Sequence, residues 1–125
     1  MPIEKFDNTD AFVNRFMELK DSAVICVITG VADASGKNWC PDCDDAKPFM
    51  QRIFDHEHCP HVLWGQVAER NSWVGVADHP YKVHPLLKAR GVPTMLMFRD
   101  GTECMRVDDQ KDFENEDVMN MFLEN

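Results

Sequence analysis

Apolar residues along this chain recur in two different periods, and the changes from one to the other outline its elements. Residues 3–6 read as a short first strand. Asn8 or Thr9 can then cap a helix over 9–20 whose Phe12, Val13, Phe16 and Met17 share one face. Residues 23–29 form a continuous apolar run, the pattern of a strand covered on both faces. A polar, glycine-containing loop over 30–38 precedes a second helical pattern carried by Ala46, Phe49, Met50, Ile53 and Phe54. Residues 62–67 read as another strand, 70–83 as irregular chain, and 85–90 as a short helix ended by Gly91. Across Asp100-Gly101, residues 94–99 and 102–107 predict an antiparallel hairpin. A last helix over 113–123 sets Val118, Met121 and Phe122 on one side. The order implies an α/β fold, a mixed sheet with helices on both faces.

Composition narrows the function more than the fold. With 125 residues, 44% of them hydrophobic, and no repeat or Gly/Ser-rich linker, residues 1–125 are expected to form one domain with one core. Lys and Arg total 13 against 22 Asp and Glu, a formal charge of −9, which argues against a phosphate-neutralising surface and so against nucleic acid. The longest apolar run, residues 23–28, falls far short of the roughly 20 residues that span a bilayer. The N-terminus lacks the basic flank and hydrophobic stretch of a signal peptide, so a cytosolic protein without a membrane partner is expected.

Five cysteines, at 26, 40, 43, 59 and 104, are an odd number and argue against a structural disulfide framework. The close pair in Cys40-Pro41-Asp42-Cys43 therefore points to redox chemistry or metal binding. It stands where the second helical pattern begins. There, unpaired backbone N–H groups and the positive end of the helix dipole stabilise a thiolate at Cys40. Pro41 suits the first turn, having no N–H to leave unpaired. Cys43 lies one turn on along the same face, placed to resolve a mixed disulfide formed on Cys40. Asp42, Asp44 and Asp45 oppose the dipole by raising the thiolate's energy, and Asp42 is a candidate for tuning the pair. A metal reading competes, because Cys40-x2-Cys43-x12-His56-x4-His61 has zinc-finger spacing and His58 and Cys59 add ligand atoms. Against it, the residues between the pairs are patterned as one long helix where a finger needs a hairpin.

The motif Trp39-Cys40-Pro41-Asp42-Cys43, with Pro48 five residues on and Gly91-Val92-Pro93-Thr94 some fifty residues later, resembles the thioredoxin superfamily. The C-P-D-C variant and the loop ahead of it look most like the cytosolic thioredoxin-related family typified by thioredoxin domain-containing protein 17. The resemblance implies a thioredoxin fold, a five-stranded mixed sheet flanked by helices. It also implies a disulfide reductase recharged by NADPH-dependent thioredoxin reductase, with no bound cofactor beyond a reversible Cys40–Cys43 disulfide. By the same resemblance Cys40 attacks, Cys43 resolves and Trp39 walls the site. The Val92–Pro93 bond is cis and brings the Val92 backbone beside the dithiol, where it offers strand-like hydrogen bonds to a client peptide. Implied substrates are small disulfides such as cystine, selected protein disulfides and nitrosothiols, and a monomer is expected.

General thioredoxins carry a carboxylate within the strand before the site, as proton acceptor for the resolving thiol; residues 23–29 hold none. Asp33 and Asp42 are the candidates to take its place. Trp73, in the irregular stretch, is a candidate client contact. The alternatives to a reductase are a signalling adaptor using the fold as a redox-gated docking surface, and a zinc-binding domain.

Overall fold

In the computed structural model, which describes residues 2–124, β1 (Ile3–Phe6) leads into α1 (Thr9–Leu19). Asn8 is the N-cap, its side-chain oxygen accepting the Ala11 N–H at 3.0 Å. Phe12 and Phe16 are fully buried, whereas Met17, expected on the same face, is 46% exposed. A helix resting on a flat sheet buries only a narrow stripe, and position 17 has turned away from it.

All seven residues of β2 (Val24–Gly30) are buried, and their alternation explains the unbroken apolar run. Ile25 and Val27 enter one core with Ala46, Met50 and Ile53 of α2 (Pro41–Phe54); Val24, Cys26 and Ile28 enter the other with Phe12 and Phe16. Each side chain is thus covered by the helix on its own face. β3 (His61–Val67) pairs in parallel with both β1 and β2; β4 (Thr94–Arg99) runs antiparallel to β2, and β5 (Thr102–Val107) antiparallel to β4. The sheet order is β1-β3-β2-β4-β5, a mixed five-stranded sheet with helices on both faces. The hairpin turns where predicted: Asp100 and Gly101 have φ of 54° and 77°, the left-handed values a tight two-residue turn demands.

Two helix expectations need correction. Residues 85–90 are not a helix; the short helix is α3 (Pro80–Val83), opened by Pro80 and capped by His79, whose Nδ1 accepts the Tyr81 N–H at 3.1 Å. Pro85 ends it, because the residue before a proline is driven to extended backbone, and His84 sits at ψ 127°. The C-terminal helix is broken into α4 (Gln110–Phe113) and α5 (Glu116–Asn120), followed by a single 3-10 turn, Met121–Leu123. Asn115 restarts it by accepting the N–H groups of Asp117 and Val118. Phe113, Met119 and Phe122 are the buried anchors, while Met121 is 50% exposed.

His79 and His84 give the fold a pH dependence. Burial holds both imidazoles below their ordinary value of 6.5, and the Lys82 ammonium adds to the effect at His79. Each uses Nδ1 as a backbone acceptor, to Tyr81 N–H and to Leu86 N–H at 3.1 Å, a bond that protonation abolishes. A depressed folded-state value means that stability from these groups is complete above 6.5 and is lost as pH falls through the lower folded values. The thermal midpoint is therefore expected to fall between about pH 7 and about pH 5. His79→Asn with His84→Asn, whose amide oxygens do not titrate in this window, should shrink that fall, and an equal fall in the double variant would refute the assignment.

Candidate active site

The site is assembled where β2 ends and α2 begins, across a loop tied to itself. Asp33 Oδ1 accepts the N–H groups of Ser35 and Lys37 and the Ser35 hydroxyl, and Ala32 bridges to Asn38. Asn38 then positions the cysteine: its side-chain oxygen accepts the Cys40 N–H at 2.9 Å, while its own N–H donates to Asp44 at 3.0 Å.

Cys40 is the N-cap of α2, with Pro41 at the first helical position. Its Sγ accepts the Cys43 N–H at 3.1 Å, the bond an N-cap oxygen would make. Cys40 and Cys43 are joined as a disulfide with Cα atoms 5.3 Å apart, and both are nearly buried, at 5% and 3% exposure. The Gly30 N–H points at Cys43 Sγ from 3.5 Å. The donors that face these sulfurs are the donors a thiolate needs, so the same geometry serves the reduced pair.

The other named residues gather around this pair. Trp39 is anchored by its indole N–H, which donates to the Val67 carbonyl at 2.8 Å. The Val92–Pro93 bond is cis, Pro93 is buried, and the Val92 carbonyl oxygen lies 3.5 Å from Cys40 Sγ. Val92 lies just outside the β2–β4 ladder, which begins at Thr94. Asp42 is exposed at the rim, and its carbonyl accepts the Gln110 amide at 3.1 Å, tying α4 to the first turn of α2.

A cavity of about 280 Å³ lies against Cys43, lined among others by Lys5, Asp44, Lys47, Trp64 and Gln66. Asp44 is its carboxylate; neither Asp33, held within its loop, nor Asp42 lines it. The polar group of β2 at this depth is Thr29, which accepts the Trp64 indole N–H at 2.8 Å and donates to the Gly30 carbonyl at 2.7 Å. A second cleft, about 530 Å³, runs beside Trp39 and Pro41 and is walled by Val31, Ala32, Lys37 and Ala68.

Sequence reading missed Asn38 and Gln110, and took Asp44 as helix-end charge without placing it in the cavity behind Cys43. Asn38 carried a local signal, a short polar side chain just before an N-cap, whereas Gln110 acts from 68 residues away and carried none. Trp73, proposed as a client contact, is 4% exposed, with the Lys82 ammonium 4.5 Å from its ring centroid. It belongs to the core.

The zinc-spaced residues are dispersed. His56 and His58 lie edge to face on the surface, His61 pairs with Glu4, and the Cys59 thiol is pushed up to about 11 by burial. Among the described residues, no three His, Cys, Asp or Glu side chains gather around one point. No helix of the described residues is long and apolar enough to cross a membrane.

Residues 2–125 match the family model described as thioredoxin domain-containing protein 17-like, thioredoxin domain. The chain is 35% identical over 107 residues to thioredoxin domain-containing protein 17 of Epinephelus coioides, covering 79% of this chain and 83% of that one. It is 28% identical over 128 residues to the thioredoxin-like protein Clot of Oryza sativa subsp. japonica, covering 89% of each. Among solved structures, Chlamydomonas reinhardtii thioredoxin f2 superposes with a TM-score of 0.59 at 15% identity, over 95% of this chain and 94% of that one.

Proposed function

We propose, on the premise that the chain belongs to the thioredoxin domain-containing protein 17-like family of thioredoxin domains, that it reduces disulfides with electrons from NADPH delivered by thioredoxin reductase. Membership and the disulfide-capable pair already make it a thiol–disulfide redox protein. The observation that carries the finer reading is Cys40 at the head of α2, its Sγ facing the Cys43 N–H on one side and the Val92 carbonyl on the other.

The Cys40 thiolate attacks one substrate sulfur, forming a mixed disulfide and expelling the other sulfur as a thiolate that takes up a proton. Cys43, deprotonated, attacks Cys40 Sγ; the mixed disulfide breaks, the second substrate thiol leaves, and the Cys40–Cys43 disulfide remains. Two electrons and two protons have passed to the substrate, and thioredoxin reductase restores them. Cystine, selected protein disulfides and nitrosothiols are the substrates of this reading. The protein works as a cytoplasmic monomer with no bound cofactor, and Trp39 and the cis Val92–Pro93 bond shape where a client lies.

The test is NADPH consumption with thioredoxin reductase and cystine, comparing wild type with Cys40→Ser. Turnover by the wild type that the substitution abolishes supports the reading. Failure with thioredoxin reductase but turnover in a glutathione-coupled assay would overturn the electron donor. Failure in both would overturn reduction itself and favour a docking role.

A further inference from the structure

The charge around this site is unevenly distributed. In a chain with 13 Lys and Arg against 22 Asp and Glu, four of the cations, Lys82, Lys88, Arg90 and Arg106, line one open cleft of about 590 Å³. The carboxylates there are Glu103, which holds Arg106 at 2.7 Å, and Asp108, which meets Arg90 at 2.9 Å. Much of the basic charge is pinned by neutral partners. Arg106 also donates to the Leu87 and Lys88 carbonyls, and Lys82 donates to those of Trp73 and Val76 at 2.6 and 2.9 Å. Carbonyl oxygens orient a cation without neutralising it. The Arg90 side chain is 80% exposed and Lys88 is exposed, so the cleft presents net positive charge to solvent. The first turns of α2 are acidic by contrast, with Asp42 and Asp45 exposed.

Arg90 brings the cleft close to Val92, although neither Val92 nor either cysteine lines it. Arg90 is two residues before Val92, whose carbonyl oxygen lies 3.5 Å from Cys40 Sγ. Two residues of chain span at most about 7 Å. A client whose attacked cysteine lies level with Val92 passes within a few residues of Arg90, although residues 88–92 are not an extended strand: Lys88 has φ 45° and the chain bends at Gly91 and Val92, so no residue-by-residue register is set.

We propose that this basic cleft selects clients that carry Asp or Glu within a few residues of the attacked cysteine. The inference rests on the reductase reading and names its substrate class. Because the cations are solvent-exposed, they act mainly on encounter, raising kcat/KM for acidic clients and leaving kcat nearly alone.

The experiment uses disulfide-linked peptides identical except for Glu or Lys at positions two and four from the cysteine, on either side. Reduction by wild type and by Lys88→Gln, Arg90→Gln is followed at about 0.01 M and about 1 M salt. The readout is the Glu-to-Lys ratio of kcat/KM within each protein, so a partial loss of folding cancels. A wild-type preference of about tenfold for the Glu peptide at low salt is expected, collapsing at high salt and falling below about threefold in the double variant. Equal rates for the two peptides with the wild type, or a preference that the double variant retains, overturns the proposal. Binding of the same peptides with Ser in place of Cys, measured by titration, decides the cleft's selectivity without turnover. Absence of cystine turnover by the wild type with both thioredoxin reductase and glutathione would instead overturn the reductase reading.

Discussion

Replacing Cys43 with Ser is expected to arrest the protein with substrate bonded covalently to Cys40. Serine conserves the shape at a position 3% exposed, and the Cys43 N–H that faces Cys40 Sγ is backbone and survives the change. Nucleophilic attack by Cys40 therefore persists while the resolving sulfur is gone. The two side chains are three residues apart and already bonded to each other, so resolution in the wild type is intramolecular. Well-oriented intramolecular reactions reach effective molarities of about 10⁵–10⁸ M, which millimolar external thiol does not match. Turnover should drop by at least about a thousandfold while a stoichiometric adduct builds up. The exposed Cys104 is a competing thiol, so the trap belongs in a Cys104→Ser background. Intact mass before and after dithiothreitol, with peptide mapping, reads the result. No adduct on Cys40, with the parent protein active on the same substrate, would sink the two-cysteine mechanism.

Gly30→Ala should be the most damaging single methyl group in the site. A Cβ at Gly30 would stand 2.5 Å from Asn38 Oδ1 and 2.7 and 2.9 Å from the Trp39 ring. Neither neighbour is free to yield. Asn38 Oδ1 holds the Cys40 N–H, and the Trp39 indole N–H holds the Val67 carbonyl. Overpacking and the two weakened hydrogen bonds together should cost about 2–4 kcal/mol, lowering the thermal midpoint by roughly 8–15 °C. Gly91→Ala is the control, with nothing within 4 Å of its added Cβ and no left-handed φ; it should stay within about 0.5 kcal/mol of wild type. The reaction of reduced Cys40 with a small disulfide should also slow in Gly30→Ala, because Asn38 and Trp39 move with the clash. An unchanged midpoint and an unchanged rate of Cys40 with the small disulfide would show that the loop relaxes without cost.

The elements most legible in the sequence are those set by local chemistry. β2 announced itself by the apolar run over 23–29, whose strand the structure buries at all seven positions, and the hairpin by Asp100-Gly101, whose backbone is left-handed at both residues. Errors fell where a local pattern competed with a backbone turn or with partial burial. The run of helix-compatible residues after Pro85 makes only a turn before Lys88, at φ 45°, leaves the helical region, and the C-terminal pattern hid a break that only the Asn115 cap reveals. Met17 and Met121 fit an apolar stripe by spacing yet lie exposed, since a stripe's width is set by what covers it.

What the sequence by itself determined is the reactive pair and its electrostatic setting. Capping by Cys40, proline at the next position and Cys43 one turn on are fixed within four residues by helix geometry, so no distant contact was needed to place them. Only the tertiary structure decided which partners meet that pair. The Val92 carbonyl arrives from 52 residues away through the β2–β4 ladder, and the Gln110 amide through the packing of α4 on α2. Asp44 rather than Asp33 lines the cavity behind Cys43, because Asp33 spends its acceptors on its own loop. The basic cleft beside Val92 likewise draws its four cations from α3, the segment before Val92, and β5. Helix capping is a short-range interaction written in neighbouring residues; juxtaposition across a sheet depends on register and burial summed over the whole chain.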